Sequence, residues 1–396
     1  MVFEPAVAAR ETGVRHAALT APVALWGDVA AHRLSRRWLL VAAGAAGLLG
    51  AGVLRLPAAA VDVDPDALRG RILAAVPPYV GLAESTGRLG LPEIPRLESV
   101  AALLTGTTRI RAFVAGADRW RVDELTPAGE RDTYRVDGSE YVWDFGSDQL
   151  TQVVGTAPLR LPRAADLAPP DLARRLLALA PADPVTALPA RRVAGRTAAG
   201  LRLVPADPDT TVGRIDVWAD AVTALPLRVE VAARTGAPLL FTELTDVADR
   251  PPDPADLAPP VPPGAGVVTV AAADVSGTLR VLDAAPAPGR LAGRDRVVLS
   301  GTPDAELPGV GLYGSGLAGF ALIPLSREVA NRALDGATAA GGTAVEVPFG
   351  RAARVATPLV SVAVVARGRS GSLLIGTVAP DVLERAILEL PGWRRA

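Results

Sequence analysis

The sequence lacks the side chains on which most enzyme mechanisms depend. Among 396 residues there is no cysteine and no lysine, and the two histidines, His16 and His32, both precede residue 40. Without imidazole, thiol or amine, the rest of the chain has no Ser-His-Asp or Cys-His pair, no Schiff-base or P-loop lysine and no usual zinc site. Carboxylates, hydroxyls and arginines remain. The sequence therefore predicts a protein that is not an enzyme and carries no cofactor and no metal.

An excess of charge of one sign is also missing. The chain has 41 basic and 42 acidic residues, a net charge of -1, and only 4% aromatic residues. Nucleic-acid binding needs a basic surface, often with aromatic side chains between the cations, and no such stripe follows residue 60. Nucleic acid is therefore excluded as a partner. The length and a hydrophobic content of 49% are sufficient for two domains.

One segment has the composition of a membrane span. Arg36 and Arg37 precede an uncharged apolar run of 17 residues from Trp38 to Leu54. At about 1.5 Å per helical residue, this run just crosses a hydrocarbon core of about 30 Å. Arginines dominate before the run and aspartates follow it, so residues 1–34 are predicted to be cytoplasmic and the rest of the chain to lie outside the membrane.

Two interpretations of residues 35–60 remain open. The segment has the pattern of an uncleaved single-pass signal anchor, through which the protein would contact the cell membrane. The Ser35–Leu40 stretch also resembles a twin-arginine export signal, and small residues before Val61 would allow cleavage after Ala60. Both interpretations place the folded part outside the cytoplasm.

Residues 61–249 are dominated by strand patterns. The stretch 215–231, IDVWADAVTALPLRVEV, shows two alternating strands about a polar turn, and Asp137-Gly138 is a strong hairpin signal. Helices are predicted at 65–76 and within 161–181. In the second helix Leu172, Leu176, Leu177 and Leu179 should share an apolar face, with Arg174 and Arg175 pointing away. These patterns predict a large antiparallel sheet with helices covering one face.

The second part of the chain follows a proline-rich stretch. Residues 250–266 contain seven prolines between Arg250 and Pro263, which indicates a stiff linker or a cover for the sheet and marks a domain boundary. Residues 267–396 alternate strands with two helices and are predicted to form a smaller α+β domain. GSGLAG at 314–319 matches a dinucleotide-binding pattern, but a strand rather than a helix follows it, so a glycine turn is predicted.

Carboxylate pairs are the only candidates for acid-base chemistry. The pairs are Asp123 with Glu124, Glu140 with Asp144, and Asp216 with Asp220. Each pair lies on a predicted strand beside arginines. This pattern is typical of a solvated sheet face, where cross-strand ion pairs form.

An ordered set of segments resembles a known superfamily. It comprises 89–95 (LGLPEIP), 103–125, 129–145, 161–177 and the 215–231 hairpin with the strand that follows it. Together these segments, within residues 65–250, resemble the exported lipoprotein carriers of the LolA-like superfamily. They are most similar to its RseB-like members, which regulate extracytoplasmic sigma factors. Residues 313–323 (YGSGLAGFALI) and the hairpin after them resemble the smaller second domain of RseB-like proteins.

The resemblance implies an α+β fold in which a large antiparallel half-open β-barrel wraps around helices, with a smaller α+β domain after it. It also implies an apolar cavity that holds a lipid or the acyl chains of a lipidated protein. The function implied is an extracytoplasmic, membrane-tethered lipid- or lipoprotein-binding protein. The alternative is a regulator that contacts a membrane anti-sigma factor.

The apolar strand and helix positions are expected to line that cavity, although each of them could equally pack as solid core. They are Leu68, Ile72, Ile110, Val114, Trp120, Val122, Tyr141, Trp143, Leu176, Ile215, Val217, Leu227 and Val229. The superfamily commonly uses an arginine on the sheet to hold its cavity closed. The candidates for that role are Arg109, Arg111, Arg121 and Arg228.

Overall fold

The computed structural model describes residues 61–74, 76–90, 98–126, 129–155, 162–260, 266–271, 285–297, 308–348 and 350–391. The predicted membrane segment at 35–60 and the cytoplasmic residues 1–34 lie outside these ranges. Within the described ranges, no helix combines the length and the apolar character that a membrane crossing requires. The described residues form one compact unit.

The larger sheet contains twelve strands. In chain order they are β1 (Tyr79–Gly87), β2 (Thr107–Gly116), β3 (Arg119–Thr126), β4 (Gly129–Val136), β5 (Ser139–Asp144), β6 (Gln149–Val154), β7 (Val185–Val193), β8 (Arg196–Leu203), β9 (Val212–Asp220), β10 (Pro226–Ala233), β11 (Pro238–Ala248) and β12 (Gly266–Ala271). Their spatial order is β12-β6-β5-β4-β3-β2-β1-β11-β10-β9-β8-β7. All neighbours are antiparallel except β12, which runs parallel to β6.

Tight turns join most of these strands. Asp137 and Gly138 both have positive φ, 50° and 77°, which is the geometry of the two-residue hairpin that the sequence predicted between β4 and β5. The hairpin at 215–231 forms as predicted from β9 and β10. At its turn the Asp220 carboxylate accepts hydrogen bonds from the backbone N–H groups of Val222 and Thr223, both at 2.9 Å.

Helices cover one face of this sheet, here called the inner face. They are α1 (Pro65–Ala74), α2 (Glu98–Thr105) and α3 (Pro169–Leu179), with a 3-10 turn at Ala164–Leu167 before α3. Leu172 and Leu177 of α3 are buried against the sheet, as predicted. Leu179 was expected on the same face but is 52% exposed. The buried face is centred on Ala173, Leu177 and Ala180, and at 100° per residue Leu179 lies outside it.

The two faces of the sheet differ in chemistry. The inner face presents alternate apolar residues of the strands, among them Ile110, Val122 and Val217, to the helices. The outer face presents the residues between them, which form ion pairs such as Arg111 with Asp123 and Arg202 with Asp216. Side chains alternate between the two faces along each strand, so the pairing register of the strands determines which residues lie on the inner face and which on the outer face.

Part of the proline-rich segment packs on the outer face. Pro254–Leu257 forms a 3-10 turn, and Leu257, only 2% exposed, clusters with Val80 and Phe113 of the sheet. The described part of this segment therefore lies against the sheet. Beyond it, β12 belongs to the larger sheet, whereas the boundary between two domains at 250–266 stays a prediction.

The smaller sheet contains eight strands: β13 (Arg290–Leu291), β14 (Arg294–Val297), β15 (Gly311–Ser315), β16 (Ala318–Ser326), β17 (Thr343–Val345), β18 (Arg351–Ala356), β19 (Ser361–Arg367) and β20 (Ser370–Gly376). Their order is β13-β14-β15-β16-β20-β19-β18-β17. Gly314 and Gly316 have positive φ in the turn between β15 and β16, so GSGLAG is the predicted glycine turn.

Two helices cover opposite faces of the smaller sheet. They are α4 (Arg327–Ala339) and α5 (Pro380–Glu389). Val362 and Val364 of β19 pack with α4, whereas Ala363 and Val365, one residue further on, pack with α5. The predicted fold class is confirmed: a large antiparallel sheet wrapped around helices, followed by a smaller α+β part.

The loop between β8 and β9 joins the two sheets. Arg294 donates to the carboxylates of Asp207 (Nη1, 3.1 Å) and Asp209 (Nη2, 2.9 Å). Thr210 donates its hydroxyl to the Leu317 carbonyl at 2.6 Å and forms an isolated β-bridge with Val378. The smaller sheet is therefore attached to the larger one by polar contacts, of which those of Thr210 are buried, as well as by chain connectivity.

Candidate ligand cavity

A cavity of about 380 Å³ opens at one end of the inner face. The β2–β3 hairpin forms one wall, and α1, α3 and the turn before α3 form the others. The apolar lining consists of Leu73, Val76, Val114, Gly116, Ala117, Trp120, Val122, Ala165 and Ala178. The charged lining consists of Arg163, Asp166, Asp171, Arg174 and Arg175. The volume lies at the low end of the range for small-molecule sites, about 300–1,000 Å³.

The hollow exists because small residues occupy the contact between helices and hairpin. Gly116 and Ala117 form the turn of the hairpin, and Ala165 and Ala178 face it from the helical side. Protein interiors are otherwise packed to crystal density, so a group of residues with little or no side chain leaves space that larger ones would fill. Trp120 provides the largest apolar surface in the lining.

Arg163 lies over Trp120 and forms part of the charged lining. Its guanidinium carbon is 5.4 Å from the centroid of the Trp120 ring, a cation–π distance, and Nη1 also donates to the Glu140 carboxylate. Its Nε is buried and has no hydrogen-bond partner among the described residues. The backbone N–H of Arg163 donates to Asp166 at 3.1 Å, which fixes the entry into the 3-10 turn.

Arg174 and Arg175 enter the cavity from α3. Arg175 pairs with Asp166 at 2.9 Å between Nη2 and Oδ1. Arg174 differs, because its Nη1 is buried without a hydrogen-bond partner among the described residues. The two arginines lie off the apolar face of α3, and the Arg175 side chain is 54% exposed. Both border the cavity because the hollow extends around the flank of α3, beyond its leucine face.

Two acidic groups near the cavity have raised pKa values. Burial raises the pKa of Asp171, ahead of the opposing attraction of Arg175, although part of the residue reaches solvent. Tyr79, on β1 under α3, is fully buried. Burial and then the charge of Asp171 raise the pKa of Tyr79 well above its ordinary value. Its hydroxyl is buried with no hydrogen-bond partner among the described residues. The neutral form of Tyr79 is therefore favoured.

The structure brings three of the predicted lining residues to the cavity: Val114, Trp120 and Val122. Most of the others lie on the inner face but in tightly packed core. These are Leu68, Ile72, Ile110, Ile215, Val217, Leu227 and Val229, each at most 1% exposed. Leu176 is partly buried against the same core. The hollow therefore lies at one end of the sheet, and these seven positions belong to packed core.

Tyr141 and Trp143 were expected on the inner face, and this is wrong. Tyr141 pairs with Tyr134, and Trp143 with Asp132, which place both on the same face as Arg121 and Asp123. They pack instead around Tyr134 and Leu150 on the outer face. Both strands of this hairpin have aromatic or apolar residues on the outer face, so hydrophobicity alone assigned the wrong side.

The four arginines considered for closing the cavity also lie on the outer face. Arg109 pairs with Glu84, Arg111 and Arg121 with Asp123, and Arg228 with Glu230 and Glu243. The arginines at the cavity are Arg163, Arg174 and Arg175. The available signal was the segment 161–177, where three arginines accompany a helix predicted to cover the sheet. The amphipathic spacing of the helix predicted that Arg174 and Arg175 point into solvent.

Three carboxylates on the outer face lie close enough together to be considered as ligands for a metal ion. Oxygens of Asp123, Glu130 and Asp132 lie within 4.8 Å of one another. Arg121 donates from Nη2 to Asp132 at 2.8 Å, and Arg111 donates from Nε to Asp123 at 2.7 Å. Guanidinium groups thus occupy the positions that a cation would need, and the cluster acts as an ion-pair network that links β2, β3 and β4.

Comparisons with known proteins give structural but no sequence relatives. No protein-family model matches the chain, and no curated protein matches it. Among solved structures, the Pseudomonas aeruginosa MucA/MucB complex is similar at 18% identity, over 82% of this chain and 95% of that one, with a TM-score of 0.44. A LolA superfamily protein from Nitrosomonas europaea is similar at 12% identity, over 50% of this chain and 99% of that one, with a TM-score of 0.23.

The Mycobacterium tuberculosis lipoprotein LppX is similar at 13% identity, over 48% of this chain and 99% of that one, with a TM-score of 0.28.

Proposed function

We propose that this protein is an extracytoplasmic, membrane-tethered module that binds a lipid or the acyl chain of a lipidated protein in the cavity at the β2–β3 hairpin. The observation that carries the proposal is a hollow of about 380 Å³ whose lining is mostly apolar. Such a cavity recognises hydrocarbon without chemistry, which fits a chain that has no histidine, lysine or cysteine in its folded part.

The energetics favour a single chain as the occupant. Each buried methylene contributes about 0.8 kcal/mol, so a chain of moderate length binds without covalent or metal assistance. The volume is at the low end for ligand sites, which argues against several chains at once. Val114, Trp120 and Val122 would contact the hydrocarbon directly. The packed residues of the inner face would hold the hairpin in place.

A brominated amphiphile tests the proposal, since bromine quenches the fluorescence of a nearby tryptophan. We expect bromodecanoate and bromodecanol to quench the emission of the purified protein in a saturable manner. The quenching should disappear in Trp120→Phe if the chain lies against that ring. Absence of saturable quenching with either compound, in protein that is folded by circular dichroism, would refute the proposal.

A pair of neighbouring residues on α3 supplies a matched control. Ala178 lines the cavity, whereas Leu179 is exposed and is not part of the lining. Ala178→Trp should fill the hollow and abolish binding, and Leu179→Trp should leave it unchanged. Equal loss in both variants would indicate damage to the helix rather than occlusion of a site.

The alternative function is contact with a membrane anti-sigma factor, as the RseB-like resemblance implies. One structural feature favours a protein partner. The strand β12 is at the end of the larger sheet, and its Val267, Val268 and Val270 are 56%, 39% and 38% exposed. Such an edge can pair with a strand of another chain. Membrane pull-down with the intact protein and with a Val268→Pro variant, which blocks edge pairing, would test this function separately from lipid binding.

A further inference from the structure

We infer that the amphiphile bound in the cavity has an anionic head group, a carboxylate or a phosphate, and that Arg174 is the residue that recognises it. This inference rests on the proposed function, because it assigns the polar end of the same ligand. The hydrocarbon would lie along Val114, Trp120 and Val122, and the head group beside α3.

The three arginines of the cavity are not equivalent. Arg175 is paired with Asp166, and Arg163 is paired with Glu140 and lies over Trp120. Arg163 and Arg174 each have one buried nitrogen with no hydrogen-bond partner among the described residues: Nε of Arg163, whose terminal Nη1 is held by Glu140, and the terminal Nη1 of Arg174. Buried guanidinium nitrogens are normally bonded, because a buried donor without an acceptor loses its hydration without compensation. An unused donor in the wall of a ligand cavity is therefore a position for an acceptor from the ligand.

The charge around the cavity also favours an anion. Three arginines face two aspartates in the lining, so a positive charge is in excess there. Asp171 is the acidic neighbour of Arg174, but it is exposed, so solvent screens its charge. A carboxylate or phosphate oxygen that accepts from Nη1 would form a charge-assisted hydrogen bond.

A neutral head group would not supply the negative charge that the guanidinium of Arg174 favours. An alcohol or ester oxygen can accept a hydrogen bond but brings no charge to offset the buried guanidinium. A free anion lacks a tail and leaves the apolar lining in contact with water. The cavity therefore combines two elements, each of which selects one end of an anionic amphiphile.

Ligands that share either the hydrocarbon tail or the anionic head group test the apolar lining and Arg174 separately. Decanoate, decyl phosphate, decanol and methyl decanoate share one tail, whereas acetate and inorganic phosphate provide the anion alone. In calorimetric titrations of the intact protein we expect decanoate and decyl phosphate to bind about tenfold or more tightly than decanol and methyl decanoate, as a charge-assisted bond provides. We expect no measurable binding of acetate or inorganic phosphate. These comparisons need no variant.

Substitution of Arg174 then assigns the selectivity to a residue. Arg174→Gln should weaken the two anionic ligands to within about threefold of decanol and leave decanol unchanged, and Arg174→Lys should recover part of the preference. Arg192→Gln, at an exposed arginine that is not part of the cavity lining, is the control, and it should keep the preference. Circular dichroism and thermal melting verify that each variant is folded.

The outcomes distinguish this inference from the proposed function. Equal binding of decanoate and decanol by the natural protein would overturn the anionic head group and leave lipid binding in place. Failure of all four tailed ligands would overturn both. Binding of inorganic phosphate that depends on Arg174 would identify a simple anion site. Tighter binding of a short peptide with an apolar C-terminal residue would assign the carboxylate to a protein and contradict the lipid.

Discussion

Arg163 and Trp120 form a cation–π pair across the cavity wall, with the guanidinium carbon 5.4 Å from the ring centroid. Arg163 also bonds the Glu140 carboxylate, so one side chain connects the segment before α3 to two different strands of the larger sheet. This contact holds the covering segment against the hairpin at the position where the hollow begins. The shape of the cavity therefore depends on an arginine outside the sheet.

Loss of this contact should destabilise the protein moderately. Arg163→Leu removes the cation–π contact and leaves Glu140, whose side chain is only 18% exposed, without its partner. We expect the free energy of unfolding to fall by about 1–2 kcal/mol. Urea titration monitored by circular dichroism measures it. Arg131→Leu, which removes a pair between side chains that are 58% and 32% exposed, should change stability much less. Equal losses would show that the covering segment is held by other contacts.

The buried carboxylate of Asp132 should make stability depend on pH. Burial and then the charge of Asp123 raise the pKa of Asp132 to about 8, from an ordinary value of 3.8. Between these two values the folded state holds a proton that the unfolded state has lost. The contribution of this bound proton to the free energy of unfolding is therefore complete below about pH 4 and is lost as the pH rises toward 8.

Asp132→Asn replaces the carboxyl group with an amide, which has a similar shape to the protonated carboxyl group but does not titrate. Denaturation across pH 5 to 9 should show a smaller fall in stability with rising pH for this variant, which should exceed the natural protein in stability near pH 9. Asp144→Asn provides a control of opposite sign. The hydrogen bond from Arg131 lowers the pKa of Asp144, so that variant should be less stable near neutral pH and approach the natural protein in acid. Parallel pH profiles for the natural protein and Asp132→Asn would contradict the prediction.

Arg294 should couple the two sheets. Its side chain is 12% exposed and bonds Asp207 and Asp209, which are 37% and 42% exposed. Because solvent screens the two carboxylates, we expect Arg294→Gln to reduce stability by about 1–2 kcal/mol rather than more. Limited proteolysis should show faster cleavage near 204–211. Arg290→Gln, from a weak and exposed pair with Asp295, should behave like the natural protein. Unchanged proteolysis of Arg294→Gln would indicate that Thr210 and its neighbours are sufficient.

Leu257 should anchor the proline-rich segment to the outer face. It is 2% exposed and packs with Val80 and Phe113. Leu257→Ala should destabilise the protein by about 2–5 kcal/mol, the usual range for a buried leucine. Chemical unfolding measures this loss, and Val222→Ala, at an 85% exposed position, is a control that should be neutral. A loss below the range expected for burial would mean that the segment is only loosely attached.

Local signals in the sequence were sufficient to predict the hairpins and most of the helices. Asp137-Gly138 and the stretch 215–231 formed the turns expected of them, because positive φ and strand alternation are properties of a few neighbouring residues. The strand β1 and the helix α2 were not predicted. The sequence of β1, YVGLAESTG, contains two glycines and several polar residues, yet it lies between β2 and β11 near the middle of the sheet. Pairing on both sides outweighed its weak strand propensity.

The site was predicted only in part, for a reason of packing. Val114, Trp120 and Val122 are apolar inward positions like Ile215 or Val229, and nothing in their local sequence distinguishes a residue that borders a hollow from one in solid core. The difference arises from what lies opposite them. Small residues of the hairpin turn and of α3 face the first three, whereas buried side chains fill the space over the others.

By itself, the sequence determined which reactive side chains the chain lacks, the alternation that makes one sheet face apolar, and the turns between neighbouring strands. These depend on residue types and on spacings of a few positions. The tertiary structure alone decided which face Tyr141 and Trp143 occupy, where the core leaves space, and that Arg174 borders that space. Register, packing volume and the flank that a helix presents are set by contacts between residues far apart in the chain, which no local pattern contains.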